Sequence, residues 1–264
     1  MKKIVLLLLL LLLFSCEKEK TIDLKLDNFE EKMVVQGFLS AQNNIELVVK
    51  KTVSPDVVNV SDKLDNLLVM LSDNQGGQVQ LISNDDKHFF LPSNVVLNPA
   101  YKYNIEATST KYDAKSEFVS IISAIPIDSI IKETGSNYDD DKMIIYYNNP
   151  DINNIYLAKF YFYKNGNLIN DYPQTEKFDP YDMIMPDNIG SNSYKVRAYR
   201  NIDSVKVKFY TLSKELAKYY KSYINYTNSL QSSFGESYPI YSNISGGLGV
   251  FGSYAYDEKV WRGN

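Results

Sequence analysis

Residues 238–252 of this chain read YPIYSNISGGLGVFG, and the glycines of this stretch limit how the last part of the chain can fold. Gly247, Gly249 and Gly252 have the spacing G-x-G-x-x-G of a dinucleotide-binding turn. That turn requires a strand before it and a helix after it, within a βαβ unit. We expect no such helix in the 12 residues that follow Gly252. The stretch instead predicts a bulged or closely packed last strand, because missing side chains let backbones approach.

Upstream of this stretch, the first half of the chain is predicted to be a β-sandwich. Short alternating or apolar runs are separated by Asn, Asp, Gly and Pro, which is typical of strands and turns. The candidate strands are residues 33–40, 45–52, 67–72, 78–82, 101–108 and 114–122. Six short strands in about 100 residues favour an immunoglobulin-like β-sandwich.

The second half is predicted to consist of further strands and one helix. The candidate strands are residues 129–133, 142–147, 155–163, 168–170, 194–201 and 204–212. Asn165-Gly166 lies between two of them and predicts a tight hairpin. Ser213 can cap a helix, and Leu216 and Tyr220 begin a stripe spaced by three and four residues, which predicts a helix over 213–231. The predicted fold class is mainly β, with two β-sandwich-like domains and one α-helix in the second.

A change in composition places the predicted domain boundary between residues 125 and 126. Pro126 restricts the backbone and ends the preceding strand. Of the 22 Tyr residues, only three precede Pro126. We therefore predict an N-terminal domain over 28–125 and a Tyr-rich C-terminal domain over 126–264.

The N-terminus predicts a lipoprotein signal peptide over residues 1–15. Lys2 and Lys3 precede the apolar run 4–14, which is shorter than the ~20 residues of a membrane-spanning helix. The run ends in Ser15-Cys16, and the stretch 13–16 resembles a bacterial lipobox, in which the Cys becomes acylated. We expect Cys16 to carry the lipid that holds the protein on a membrane, with residues 16–27 as the lipidated Cys and its polar tether.

Several stretches together resemble the Bacteroidetes lipoprotein family called domain of unknown function 4249. They are the lipobox, the early MVVQG strand at 33–37, the IPID junction at 125–128, and the pair SNI and GGLGVFG at 242–252. The resemblance gives Asn243, Gly246, Gly247, Gly249 and Gly252 as structural motif residues, and it supplies no catalytic residue. It implies an outer-membrane lipoprotein that accompanies a TonB-dependent receptor. Glu17 and Glu19 also resemble the acidic export signals of some surface lipoproteins of Bacteroidetes.

Composition excludes several classes of function. One His and one Cys exclude sites built from several imidazoles or thiolates within one chain. Removal of Lys2 and Lys3 with the signal leaves 26 cations against 32 anions, a net charge of −6. Nucleic-acid binding needs a clustered positive surface, so we expect no nucleic-acid partner. We also expect no cofactor and no metal, with calcium at the acidic runs 139–141 and 151–154 as a minor hypothesis.

Two further stretches carry candidate functional residues. His88 follows Asp85 and Asp86, and a carboxylate beside an imidazole is the arrangement of a general base, although an exposed loop His is the simpler interpretation. The long irregular stretch 171–190 contains three aromatic residues of the kind enriched at interfaces, and these are the candidate contacts to a ligand or partner: Tyr172, Phe178 and Tyr181.

From these observations we expect a non-enzymatic outer-membrane lipoprotein. It would serve as an accessory or ligand-capturing component beside a TonB-dependent barrel, anchored through its lipid, with its ligand and its orientation left open. A structural or adhesive surface protein without a transport role is the alternative. A hydrolase centred on His88 is a third hypothesis.

Overall fold

The fold is mainly β, as predicted, with one helix among the described residues. The computed structural model of the chain describes residues 29–40, 42, 44–54, 61–135, 141–148, 156–169, 192–198, 201–230 and 238–263. The candidate residues Cys16, Tyr172, Phe178 and Tyr181 lie outside these ranges.

The described part of the first half contains nine strands, and most match the predicted ones within two residues. They are β1 (Met33–Ser40), β2 (Asn44–Lys51), β3 (Leu68–Asp73), β4 (Gln78–Gln80), β5 (Ile82–Ser83), β6 (His88–Phe90), β7 (Lys102–Thr108), β8 (Asp113–Ser116) and β9 (Val119–Ser120). The sequence pattern does not predict β6. It predicts β4 and β5 as one strand, and β8 and β9 as another. These pieces are two to four residues long, too short for alternation to be visible.

Where the structure describes the second half, that half contains eight strands and the predicted helix. They are β10 (Ile127–Glu133), β11 (Lys142–Tyr147), β12 (Tyr156–Lys164), β13 (Asn167–Leu168), β14 (Ser193–Arg197), β15 (Ser204–Leu212), α1 (Lys214–Leu230), β16 (Ile244–Ser245) and β17 (Gly247–Arg262). Asn165 and Gly166 both have positive φ, 51° and 74°, in the turn between β12 and β13. This is the hairpin that Asn-Gly predicted.

The described strands form three sheets. The largest has the strand order β13-β12-β15-β17-β1-β2-β6-β5, and the others have the orders β16-β8-β7-β3-β4, with β9 beside β7, and β10-β11-β14. One half of the largest sheet packs on the second sheet, and the other half packs on the third. Each half therefore has the face-to-face arrangement of a sandwich.

Separate apolar cores fill the two sandwiches. The first joins Val35 and Leu47 of the large sheet to Val69 and Ile105 of the facing sheet, all at most 1% exposed. The second core is aromatic: the ring of Tyr147 lies 4.4 Å from that of Phe209, and Phe160 and Tyr194 belong to the same cluster. The predicted alternation of apolar residues is what directs these side chains to the inner faces.

The last strand, β17, belongs to both sandwiches. Its first half, from Gly247 to Tyr254, pairs in parallel with all of β1, from Met33 to Ser40. Its second half pairs antiparallel with β15, from Leu212 beside Tyr254 to Ser204 beside Arg262. The boundary predicted at 125/126 stays a prediction, and this strand pairing crosses it.

Helix α1 covers the outer face of the large sheet where β17 passes from β1 to β15. Its buried residues Leu216 and Tyr220 share a cluster with Phe38 and Val250. Ser213 caps the helix as predicted, because its Oγ accepts a hydrogen bond from the amide of Leu216 at 3.4 Å. The helix is thereby fixed against β17 on the outer face of the large sheet.

Candidate functional site

The glycine-rich stretch 243–252, which we call the joint, connects strands of both sheets of the first sandwich. Ile244 and Ser245 pair with Ser116 and Lys115 of β8, and the chain then turns at Gly246 into β17 beside β1. Gly246 has a φ of +73°, and a Cβ there would lie 2.2 Å from the carbonyl oxygen of Asp113. The stretch thus passes from one sheet to the other in a space that excludes side chains.

The contact between β17 and β1 depends on Gly249. Its φ is +113°, and an added Cβ would lie 2.0 Å from the carbonyl oxygen of Val35. At Gly247 the corresponding distance, to the carbonyl oxygen of Met33, is 2.6 Å. Both positions bring the backbone of β17 against that of β1 more closely than any side chain allows.

Gly252 holds β17 against the beginning of helix α1. An added Cβ would lie 2.7 Å from Cβ of Leu216 and 3.2 Å from Oγ of Ser213. The same serine receives a hydrogen bond from the amide of Ser253 at 3.1 Å and donates its own amide to the carbonyl of Ser253 at 2.8 Å. The helix cap and the strand are therefore a single hydrogen-bonded unit.

The side chain of Asn243 completes the joint. Its Nδ2 donates to the carbonyl of Phe251 at 2.8 Å, and its Oδ1 accepts from the amide of Phe251 at 2.9 Å. Asn243 is 5% exposed. The five motif residues Asn243, Gly246, Gly247, Gly249 and Gly252 thus share one place in the fold, and each lies at a close backbone contact.

The segment that joins the two halves is clamped to the large sheet. The amide of Ile125 donates to Oγ1 of Thr211 at 3.0 Å, and that of Ile127 donates to Oδ2 of Asp257 at 2.7 Å. Lys259 donates to the carbonyl of Ile127 at 3.1 Å. Because these bonds are spaced along the segment, Pro126 lies in a fixed crossover.

A second polar arrangement lies at the N-terminal end of the fold, in the first sandwich. The carboxylate of Glu31 accepts two hydrogen bonds from Nζ of Lys51, at 3.0 and 3.1 Å, and one from the hydroxyl of Tyr112 at 2.8 Å. The hydrogen bond from Lys51, and next that from Tyr112, lower the pKa of Glu31. The same contact with Glu31 raises the pKa of Tyr112.

These three residues form a wall of an open cleft of about 60 Å³. The cleft is also lined by Lys63, by Lys111 and by the turn between β7 and β8. Because three lysines line it, Lys51, Lys63 and Lys111, we call it the lysine cleft. The sequence does not indicate it because Glu31 and Tyr112 are far apart in the chain and meet only through the packing of β1 against β8. No local motif marks such a site.

Sequence analysis also missed a basic and aromatic face on β12, β15 and β17. Lys159 and Lys208 lie directly opposite each other in the β12–β15 pair and are 1% and 6% exposed. Nζ of Lys208 lies 5.1 Å from the ring centre of Tyr256 and 4.0 Å from Glu258. Neighbouring Tyr rings and carboxylates offset the repulsion that two opposed cations produce.

A family model described as domain of unknown function (DUF4249) matches residues 19–260. The chain belongs to this family. No curated protein matches it. The DUF4249 segment therefore contains both sandwiches, the joint and the lysine cleft, and it begins three residues after Cys16.

Within the DUF4249 segment, His88 is exposed and begins strand β6. Its Nδ1 is hydrogen-bonded to Oδ2 of Asp85, and Oδ1 of Asp85 accepts from the backbone amide of His88 at 2.8 Å. These bonds, the one to the backbone amide first, lower the pKa of Asp85 to about 2. The expected carboxylate–imidazole contact is thus present. Among the described residues, no Ser or Thr hydroxyl is hydrogen-bonded to this imidazole.

The acidic stretches divide between described and undescribed residues. Asp141 is 7% exposed and forms an ion pair with Lys132 at 2.8 Å. Asp139, Asp140 and residues 151–154 lie outside the described ranges. Where the structure describes the chain, no three His, Cys, Asp or Glu side chains are grouped as metal ligands. In the same ranges, no helix has the length and apolar character needed to cross a bilayer.

Proposed function

We propose that this protein is an outer-membrane lipoprotein of a Bacteroidetes cell envelope, anchored through acylated Cys16. In this proposal it acts as a non-enzymatic accessory or ligand-capturing component beside a TonB-dependent transporter. The observation that carries the proposal is the order of the segments along the chain. A basic and apolar run ends in the only Cys, and the DUF4249 segment begins three residues later.

The physical chemistry of the N-terminus supports a lipid anchor. A single acyl chain binds a membrane only marginally, whereas several chains on one Cys anchor it stably. The residues after Cys16 are polar, and the first described strand begins at Met33. This leaves a connecting segment between anchor and fold.

The joint and the clamped crossover favour a role in binding. The bonds between Ser213 and Ser253, and the bond from the amide of Ile127 to Asp257, hold the helix and the crossover on one strand, β17. A rigid frame that displays loops is the usual basis of a binding surface. The candidate contact residues Tyr172, Phe178 and Tyr181 lie between β13 and β14 in sequence and are the contacts that we propose.

The anchor is tested by Cys16→Ala, with Ser15→Ala as the matched control. We expect the Cys16→Ala chain to lose incorporation of labelled palmitate and to leave the membrane fraction on alkaline washing. Ser15→Ala keeps a small residue before the Cys, so its acylation should match that of the wild type. Equal labelling of both variants would refute acylation of Cys16.

The transporter role is tested by gentle extraction of a C-terminally tagged, acylated chain and mass spectrometry of what copurifies. We expect a TonB-dependent barrel in stoichiometric amount, and a nutrient-uptake defect on deletion of the gene. Recovery of the lipoprotein alone, where a known barrel–lipoprotein pair survives, would favour the structural or adhesive alternative. A His88→Ala gene should restore growth fully, and its failure would revive the hydrolase hypothesis.

A further inference from the structure

We propose that the lysine cleft binds a small oxyanion, a phosphoryl group, through Lys63 and Lys111, beside the Lys51–Glu31 pair. Anion binding in the cleft does not depend on the lipid anchor or on a transporter, and only its assignment to a lipid headgroup rests on the proposed function. It rests on the cavity, on the charges that converge on it and on the fixed turn that forms one of its walls.

The charges of the cleft favour an anion. Lys51, Lys63 and Lys111 contribute three cations, against the carboxylates of Glu31 and Asp65. Glu31 is already engaged by Lys51 and by the hydroxyl of Tyr112. Its negative charge is therefore largely compensated within the wall of the cleft.

Two of the lysines are available to a ligand. Among the described residues, the ammonium of Lys111 has no hydrogen bond or ion pair, although its field helps to lower the pKa of Glu31. Lys63 pairs with Asp86 at 3.3 Å, and both side chains are more than half exposed. An exposed pair of this kind is weak, so Lys63 can turn to a bound anion at little cost.

The turn that carries Lys111 is held in place before a ligand arrives. The amide of Ser109 donates to the carbonyl of Tyr112 at 2.9 Å, and the amide of Tyr112 donates to Oγ of Ser109 at 3.1 Å. Thr110 donates its amide to the carbonyl of Asp65 at 3.1 Å. A preformed turn lowers the entropy lost on binding.

The size and the position of the cleft suggest what the anion belongs to. The space of about 60 Å³ is several times the ~10–15 Å³ needed to hold one water molecule, so it accepts a group of a few heavy atoms. Glu31 lies two residues after Phe29, where the described chain begins. The cleft thus lies where the fold meets the N-terminal segment, within reach of a lipid headgroup or of a free phosphorylated ligand.

The first test is a titration of inorganic phosphate followed by ³¹P NMR, at constant ionic strength. The protein is the acylated chain in a phosphate-free neutral detergent. We expect saturable line broadening, weakened on the order of fivefold by Lys111→Ala and retained by Lys111→Arg. Lys102→Ala is the matched control, because Lys102 is an exposed lysine at the opposite end of β7.

The second test separates the two sources of the phosphoryl group. The unacylated chain from Glu17 is mixed with vesicles of phosphatidylcholine containing phosphatidylglycerol, and sedimentation is measured. Binding that depends on Lys111 and not on Lys102 identifies a lipid headgroup, whereas phosphate binding without vesicle binding identifies a free ligand. No saturable phosphate binding, or an equal effect of Lys111→Ala and Lys102→Ala, would overturn the proposal.

Discussion

The side chain of Asn243 pairs with the main chain of Phe251 as a neighbouring strand would, donating at 2.8 Å and accepting at 2.9 Å. On the side of β17 away from β1, no described strand pairs with β17 until β15 begins beside Tyr254. On that side, the side chain of Asn243 forms hydrogen bonds with the main chain of Phe251, and Oγ of Ser213 accepts one from the amide of Ser253. Two side chains thus satisfy the open edge of the strand shared by both sandwiches.

Asn243→Ala should destabilise the protein strongly. It leaves the buried amide and carbonyl of Phe251 without partners, and each such group costs about 1–3 kcal/mol. We expect a loss of about 2–5 kcal/mol in the free energy of unfolding, measured by urea denaturation. Asn167→Ala is the control, because Asn167 is exposed at the start of β13. Equal midpoints for the two variants would contradict a strand-like role for Asn243.

Gly249→Ala should prevent the normal pairing of β17 with β1. The added methyl would overlap the carbonyl of Val35, in addition to the cost of a side chain at positive φ. We expect a loss of more than about 3 kcal/mol or a failure to fold. Gly76→Ala separates the two effects, since Gly76 has a φ of +93° with nothing within 4 Å. That control should lose only about 1–2 kcal/mol, as thermal unfolding will measure.

Asp257→Ala should loosen the crossover between the sandwiches. Its carboxylate accepts from the amide of Ile127, and its removal leaves a part-buried donor unpaired. We expect a loss of about 1–3 kcal/mol and faster hydrogen exchange at the Ile127 amide. Asp128→Ala is the control, because Asp128 is exposed and engages Lys259 through its backbone carbonyl. Unchanged exchange at Ile127 in the Asp257 variant would refute the clamp.

Tyr147→Phe should reduce the loss of stability at alkaline pH. Burial, and next the neighbouring Tyr156, raise the pKa of Tyr147 to about 12 from the usual 10.0. Between pH 10 and 12 the unfolded chain releases this proton and the folded chain keeps it. Stability that is complete below pH 10 is therefore lost as pH rises, by at most about 1.4 kcal/mol per pH unit.

The measurement is the urea midpoint at pH 8, 10 and 11 for the wild type, Tyr147→Phe and Tyr146→Phe. Tyr146 is the adjacent, exposed residue on the same strand, at 38% exposure. We expect Tyr146→Phe to follow the wild type and Tyr147→Phe to decline less between pH 10 and 11. Parallel curves for all three chains would show that Tyr147 does not titrate in this range.

The local elements of the fold could be predicted from sequence because their causes are local. Alternating apolar residues correctly predict the first and last residues of β1, β11 and β15, and Asn165-Gly166 correctly predicts the hairpin between β12 and β13. Ser213 gave the start of helix α1. Strand β6 was missed because three residues carry no visible period and depend on pairing with β2.

The candidate functional residues also divide into those that a local pattern indicates and those that only tertiary contacts bring together. The glycines at 246–252 indicated close backbone contacts, and sequence alone could not name the backbones that approach. The lysine cleft had no sequence signal, because Glu31, Lys51 and Tyr112 meet only through folding. Cys16 and the aromatic residues Tyr172, Phe178 and Tyr181 lie outside the described residues, and their roles stay predictions.

The mainly β class, the position of the helix and the places where side chains are excluded could all be predicted from the amino-acid sequence. These follow from alternation, capping and missing Cβ atoms, which act within a few residues. The position of β17 between β1 and β15, which joins the two sandwiches, is visible only in the folded chain. Strand edges offer similar hydrogen bonds to any partner, so the choice is made by side-chain packing across the whole sheet.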